Sequence, residues 1–387
     1  MPLTIPWRYR VRRRSKSMPM PTSVRNREVI FGAGYAAAVW CATRVESGKP
    51  PPIVFEQNLA LGGMFAQLVN FRLNSQNNAS VASVASPGPS RVVPFAGIDD
   101  LNWIPGSPHQ ARQYGASEYP PSEDMCRAIA RTVKDYAEVY TGAKGLTFNR
   151  NGQVRLADGT LLGTARRIIW AAGTVPRTGF ASCPAVMSGY DFLRSPPREL
   201  HDRQIAVVGS GNTAAQCVEY MVGQGLVYPA TPPGEIHWYG DTAMPLSKSV
   251  WADRYSARYS GLARHFPQQQ ATERSVIRPY PARGTMVPLG RTAMVNGQVY
   301  DMVVMATGFR SAPCPARVSS PYRIGDMTVA KCNSDDTIDG VPTVFSIGTA
   351  AALTASYEPY RSRFPETTQA MFNQGPRIAA LAAALPG

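Results

Sequence analysis

The chain has 387 residues, 44% of them hydrophobic and 17% charged, which is enough for two ordinary cores and excludes an extended disordered chain. The net charge of +14 would suggest a nucleic-acid partner, but eight of these charges lie in residues 1–27 (Arg8, Arg10, Arg12, Arg13, Arg14, Lys16, Arg25 and Arg27), where no acid stands. A solvated basic tail is the simpler reading, and a nucleic-acid or anionic-membrane arm is disfavoured.

Six cysteines (Cys41, Cys126, Cys183, Cys217, Cys314 and Cys332) are scattered without a Cys-x-x-Cys pair or a zinc-ligand spacing. A locally encoded redox disulfide is thereby excluded, no metal is expected, and a reduced, cytoplasmic setting fits best. No uninterrupted apolar stretch reaches the ~20 residues of a membrane span.

After the tail, Glu28-Val-Ile-Phe31 reads as a strand, Gly32-Ala-Gly34-Tyr-Ala-Ala37 as a turn and the residues to about Ser47 as a helix. The uncharged run Val29 to Ala42 behind basic residues resembles a secretory signal. Gly32, Gly34 and Glu56 instead fall where a nucleotide-binding βαβ unit needs them, which favours a folded interior. Ile53-Val-Phe55 is the next strand, ending in Glu56, a carboxylate placed to accept hydrogen bonds from the two ribose hydroxyls of an adenosine. Leu61-Gly62-Gly63-Met64-Phe65 lets backbone pass close to a large flat ligand.

Composition shifts over 70–121, where Asn74, Ser75, Asn77 and Asn78 precede a proline- and serine-rich stretch. Two readings stand: an ordered insertion or lid beside the site, and a surface loop. Ser122, as N-cap, starts a helix expected to reach about Tyr140. Asn151-Gly152 marks a hairpin within Gly145 to Asp158. Arg167 to Trp170 is a buried strand running into Ala172-Gly173-Thr174, and Pro184 to Pro197 reads as a linker.

Ile205 to Val208 is an apolar strand followed at once by Gly209-Ser210-Gly211-Asn212-Thr213-Ala214, with Ala214, Ala215, Val218, Met221 and Val222 recurring at helical spacing. This is a second dinucleotide-binding turn. Its first glycine makes the tight bend and its second admits the pyrophosphate; the small third residue lets helix pack on strand, with phosphate on the helix N-terminus. Glu235 to Tyr239 is the next strand, and Asp301 to Phe309 another that ends in Ala306-Thr307-Gly308. Arg323 to Val329 returns towards the first unit. Val344-Phe-Ser-Ile-Gly348-Thr349-Ala350 and a helix from about Glu366 to Leu385 close the chain.

Together these ordered elements resemble the flavin-dependent oxidoreductases with two dinucleotide-binding domains: flavin monooxygenases, ornithine and lysine N-hydroxylases, and thioredoxin-reductase-like enzymes. The resemblance implies an α/β fold of two Rossmann-like domains, the NAD(P)-binding one (199–321) inserted into the FAD-binding one (28–198 and 322–387). It implies that Gly32, Gly34, Ala37 and Glu56 hold the adenosine diphosphate half of FAD. Gly62, Gly63, Met64, Phe65, Gly173, Gly348 and Thr349 would line the rest, although related chains carry an acid where Thr349 stands. Gly209, Ser210, Gly211, Asn212, Thr213 and Gly308 would take NAD(P)H. Asp241 would suit NADH, and Lys248 or Arg254 the 2′-phosphate of NADPH; the excess of cations favours NADPH.

None of His109, His201, His237 and His265 forms a catalytic cluster, so structural or exposed roles are expected. Asn74, Ser75, Asn77 and Asn78 are candidates for polar groups near the flavin, with plain turn chemistry an equal reading. The expected activity is monooxygenation of a small nucleophilic metabolite by O2 through a flavin C4a-hydroperoxide. A reductase or oxidase passing electrons to a quinone, a partner protein or O2 is the alternative, and a flavin-binding sensor a third. The histidine-containing signature that flavin monooxygenases place before the second turn is absent from Ser188 to Arg194, so that subgroup is disfavoured. Oligomeric state stays open.

Overall fold

Two sheets, one parallel throughout and one parallel but for an edge strand, each built around one glycine turn, organise the computed structural model. It describes residues 20–69, 71–72, 121–176, 183–240, 260–266, 275–312, 314, 321–324, 327–330, 337–338, 341–348 and 375–387. The candidates Asn74, Ser75, Asn77, Asn78, Asp241, Lys248, Arg254 and Thr349 lie outside these residues, as does nearly all of 70–121.

In the first sheet Glu28–Phe31 is central, with all four residues buried. It pairs in parallel with Ile53–Glu56 on one side and Arg167–Trp170 on the other. Glu138–Thr141 extends the sheet beyond Ile53–Glu56, and Val341–Ser346 beyond Arg167–Trp170, both in parallel. Thr337–Ile338 adds an antiparallel edge. Strands covered on both faces need apolar residues at every position, hence the unbroken runs Val29-Ile-Phe31 and Ile53-Val-Phe55.

The second sheet is parallel throughout, in the order Val276–Tyr280, Glu235–Tyr239, Ile205–Val208, Met302–Met305, Val186–Ser188. An antiparallel meander, Met286–Leu289, Thr292–Val295 and Gln298–Tyr300, accompanies it, and its inward Ala293, Val295 and Tyr300 pack with Ala206, Val208 and Tyr239 of the sheet. Between the two sheets, Thr174–Pro176 and Phe309–Ser311 pair antiparallel, marking where the chain leaves the first unit and comes back.

The helix Tyr35–Glu46 explains the signal-like run. Tyr35 through Ala42 are all buried, because this helix packs on the first sheet, on the helix Ser122–Tyr136 and on the C-terminal helix Gly375–Ala384. A helix covered on every side needs no polar face. Arg44, within it, is buried as well. Glu28 accepts from Trp40 Nε1 at 2.6 Å and pairs with Arg167 at 2.8 Å and Arg44 at 3.3 Å. Arg44 in turn donates to the carbonyls of Ala382, Leu385 and Pro386. A guanidinium set against the carbonyl end of a helix satisfies groups with no partner within the helix and meets the negative end of its dipole.

Several expectations are corrected. The helix starting at Ser122 ends at Tyr136, not about Tyr140; Ala137 turns extended and Glu138–Thr141 joins the sheet, where Tyr140 packs on Phe55. Ser122 is the first helical residue, its N-cap is Pro121, and no side chain caps the helix. Pro184 to Pro197 is not a linker: Val186–Ser188 is a strand of the second sheet, and Gly189–Arg194 is a helix capped by Ser188 Oγ, which accepts from Asp191 N. That strand stands ahead of residue 199, where the second unit was expected to begin. The C-terminal helix is described from Gly375. The Asn151-Gly152 hairpin forms, between Thr147–Phe148 and Gln153–Arg155.

Candidate functional site: two glycine turns

Both turns bend over the end of a neighbouring strand, and in both the first glycine is there for want of space. Gly32 has φ +99°, and a Cβ on it would lie 2.6 Å from the carbonyl oxygen of Ala171. Gly209 has φ +139°, and a Cβ there would lie 2.2 Å from the carbonyl oxygen of Ala306. Ala171 and Ala306 follow the strands Arg167–Trp170 and Met302–Met305, which run on into Gly173 (φ +65°) and Gly308 (φ +91°). The same strand–turn–strand packing therefore occurs twice. Ala37 and Ala214, the small third residues, are fully buried between helix and strand.

The second glycines are different. Gly34 and Gly211 both have extended backbone that any residue adopts. A Cβ on Gly211 would meet nothing within 4 Å, and one on Gly34 only the Cα of Gly63 at 3.7 Å. These glycines leave room that no atom of the described residues fills, at the N-termini of Tyr35–Glu46 and Asn212–Met221, the cradle a pyrophosphate requires. Ser210, Asn212 and Thr213 complete the second turn. Trp238 Nε1 donates to the carbonyl of Gly209 at 2.7 Å and fixes the bend from below.

Glu56 closes the first turn. Its Oε2 accepts from Ala33 N at 2.9 Å, and its Oε1 accepts from both Asn58 N and Asn58 Nδ2 at 2.9 Å. Burial pushes the carboxyl above the usual range, and the N–H donors of Asn58 and Ala33 pull it back. The carboxylate is thus oriented between the turn and the end of its own strand. The residues present fit an adenosine diphosphate: a glycine cradle, a helix N-terminus and an oriented acid.

Beyond it, Gly62 (φ +108°) admits the helix Ser122–Tyr136, whose Cys126 carbonyl would be 2.5 Å from a Cβ there. Gly63 faces Gly34. Met64 receives Thr174 Oγ1 on its sulfur at 3.4 Å. Phe65 turns into the core and stacks on Phe71, ring centroids 4.9 Å apart. Gly348 (φ +77°) brings the end of Val341–Ser346 against the first helical turn, where a Cβ would lie 2.8 Å from that of Ala36. Gly32, Gly34, Glu56, Gly63 and Gly348 are therefore gathered at one turn, and Gly209 to Thr213 with Gly308 at the other.

The sequence did not single out Trp238 or the residues that join the two units, Tyr190 and Gln216; the only signal for Gln216 was its place one turn beyond Thr213. Of the described histidines, His237 bonds Tyr300 and Glu235, His265 bonds Gln224 and the Ser275 carbonyl, and His201 is exposed beside Asp202. Of the described cysteines, Cys41, Cys126, Cys183 and Cys217 are buried and in no disulfide.

No protein-family model matches the sequence, and no curated protein sequence matches it. Solved structures are similar in fold. The ornithine N-hydroxylase of Kutzneria sp. 744, with reduced FAD, NADP+ and L-ornithine, aligns at TM-score 0.59 and 13% identity over 93% of this chain and 99% of its own. The chain has the fold of the two-domain flavoenzymes. Lysine monooxygenase NbtG from Nocardia farcinica aligns at TM-score 0.54 and 16% identity, covering 90% of this chain and 99% of that one. Bacillithiol disulfide reductase from Bacillus cereus aligns at 0.53 and 13%, over 92% and 99%. Oxygenases and disulfide reductases thus share this two-domain flavoenzyme fold.

Proposed function

We propose that this chain is an FAD-dependent, NAD(P)H-using oxidoreductase and, within that class, a monooxygenase acting on a small nucleophilic metabolite. The first turn, with Gly32, Gly34 and Glu56, would hold the adenosine diphosphate half of FAD. The second, with Gly209, Gly211 and Thr213, would hold the pyrophosphate of NADPH, with Lys248 and Arg254 as candidates for its 2′-phosphate. When bound, the flavin supplies hydride acceptance and reaction with O2. The protein binds, orients and shields: Glu56 takes ribose hydroxyls, the helix N-termini take phosphate charge, and Gly63 and Gly348 let backbone close around the first nucleotide.

The observation that carries the oxygenase reading is the disposition of the cysteines. The sequence holds no Cys-x-x-Cys, and Cys41, Cys126, Cys183 and Cys217 are buried and unpaired. Burial pushes the Cys41, Cys126 and Cys217 thiols up, away from the thiolate that thiol–disulfide exchange needs. A reductase or oxidase that hands electrons to a quinone, a partner protein or O2 is the second reading, favoured by the likeness to the disulfide reductase.

The test is stoichiometry. The purified chain, loaded with FAD, is given NADPH and a panel of amines and sulfides under labelled O2. Label entering a product in step with NADPH consumption is the expected result. Consumption wholly recovered as peroxide with every compound sinks the oxygenase reading and leaves the oxidase.

A further inference from the structure

We propose that Gln216 is a positioning residue, clasping the second dinucleotide-binding unit to the first and fixing the geometry across which hydride passes. Its side-chain amide bonds twice to the backbone of a single residue in the other unit. Gln216 Oε1 accepts from Arg72 N at 2.8 Å, and Gln216 Nε2 donates to Arg72 O at 2.8 Å. On its other side the Arg72 backbone bridges antiparallel to Pro121, and Ser122 N donates to Phe71 O at 2.9 Å. The amide of Gln216 thus pairs with Arg72 as a neighbouring strand would. Gln216 is 1% exposed, and without its amide the Arg72 N–H and carbonyl would each lose this bond.

Both ends of the clasp sit on site-bearing segments. Gln216 is on Asn212–Met221, one turn from the Gly209–Thr213 bend, and Arg72 follows the Gly62-Gly63 segment. Two further bonds run in parallel: Tyr190 Oη donates to Met64 O at 2.9 Å, and Val69 N donates to Leu193 O at 3.0 Å. Both Tyr190 and Leu193 belong to the short helix that follows Val186–Ser188 of the second sheet. Beneath these bonds one buried apolar cluster continues from Phe65, Leu68 and Phe71 through Phe192 and Leu193 to Tyr220. The residue type is specific. Asn is a methylene too short to span both groups, and Glu would set a carboxylate against the Arg72 carbonyl.

This assignment rests on the flavin–NADPH reading, and two variants of the full-length chain test it. In Gln216→Ala, FAD content and NADPH affinity are expected to stay within about twofold of wild type. The limiting rate of anaerobic flavin reduction by NADPH is expected to fall by roughly tenfold to a hundredfold, the cost of a misplaced near-attack geometry. Gln216→Glu, nearly isosteric and so a guard against a variant that fails to fold, is expected to show the same split. Independently of turnover, the Arg72 amide of the FAD-free protein is expected to exchange with solvent faster in both variants. Unchanged reduction rates in variants that bind both nucleotides overturn the clasp and leave the flavin–NADPH reading intact. A wild-type chain that takes up neither nucleotide overturns that reading, and this assignment with it.

Discussion

Gly209 and Gly211 stand two residues apart and differ in what they accommodate. The first has a left-handed φ and a backbone oxygen where its Cβ would be, whereas the second has an ordinary φ and open space. Gly209→Ala is therefore expected to cost about 3 kcal/mol of stability or more, measured by urea unfolding. Gly211→Ala should cost under about 1 kcal/mol yet strongly weaken NADPH binding, because a methyl group would occupy the cradle. Equal destabilisation by the two would contradict the division of labour. Glu56 is the third informative residue. Its folded-state pKa is raised, so the folded protein holds its proton more tightly than the unfolded chain. Its contribution to stability is then fully present below the ordinary carboxylate pKa and is lost as pH rises through the raised value. The melting temperature of nucleotide-free wild type relative to Glu56→Gln should accordingly decline between mildly acidic and neutral pH. The same variant should bind FAD roughly ten- to a hundredfold more weakly at neutral pH, the loss of a hydrogen bond to a charged group.

Among elements, the C-terminal helix depends most visibly on a charge it does not contain. Gly375–Ala384 is ten residues long, too short to persist alone in water. It is held by packing on Tyr35–Glu46 and by Arg44, whose guanidinium spans Glu28 on one side and the last helical carbonyls on the other. Removing Arg44 leaves Glu28 to Arg167 and Trp40 alone and takes away the donors to the Ala382, Leu385 and Pro386 carbonyls. Arg44→Ala is expected to destabilise the protein by about 3–5 kcal/mol. Amide exchange over 375–387 should accelerate more than that of the two sheets, and protection left intact there would show that packing alone suffices. The helix also receives Tyr35 close under Gly375, 2.4 Å from where a Cβ would stand, so the segment is seated at both ends.

At the scale of the whole molecule, two nucleotide turns of like construction serve two units whose apolar interior is continuous. Ligand binding should therefore register as global stability. FAD at a hundred times its dissociation constant is expected to add about 2.7 kcal/mol. Gly34→Ala should abolish the rise in melting temperature caused by FAD while keeping the rise caused by NADPH, with Gly211→Ala doing the reverse. Loss of both responses in either variant would mean that the turns do not act as separate sites. Among the described residues no helix is long and apolar enough to cross a membrane.

Much of this architecture was legible in the residues, and the reason is locality. A run buried on both faces, a turn that tolerates only glycine and an apolar helical continuation are written within about a dozen neighbouring positions, so Glu28 to Ala38 and Ile205 to Met221 declared themselves twice. What stayed hidden depends on partners distant in the chain. Glu138–Thr141 reads as the tail of a helix until Ile53–Glu56 offers it a ladder. Val186–Ser188 reads as a linker until Met302–Met305 lies beside it. Arg44 and Arg167 have no partner legible in the sequence until folding closes them on Glu28. Gln216 gains its role only because Arg72, 144 positions away, arrives within hydrogen-bond reach. Local sterics and periodicity determined the two turns and their strands; tertiary structure alone decided which polar groups would lose water together, and so which had to find one another.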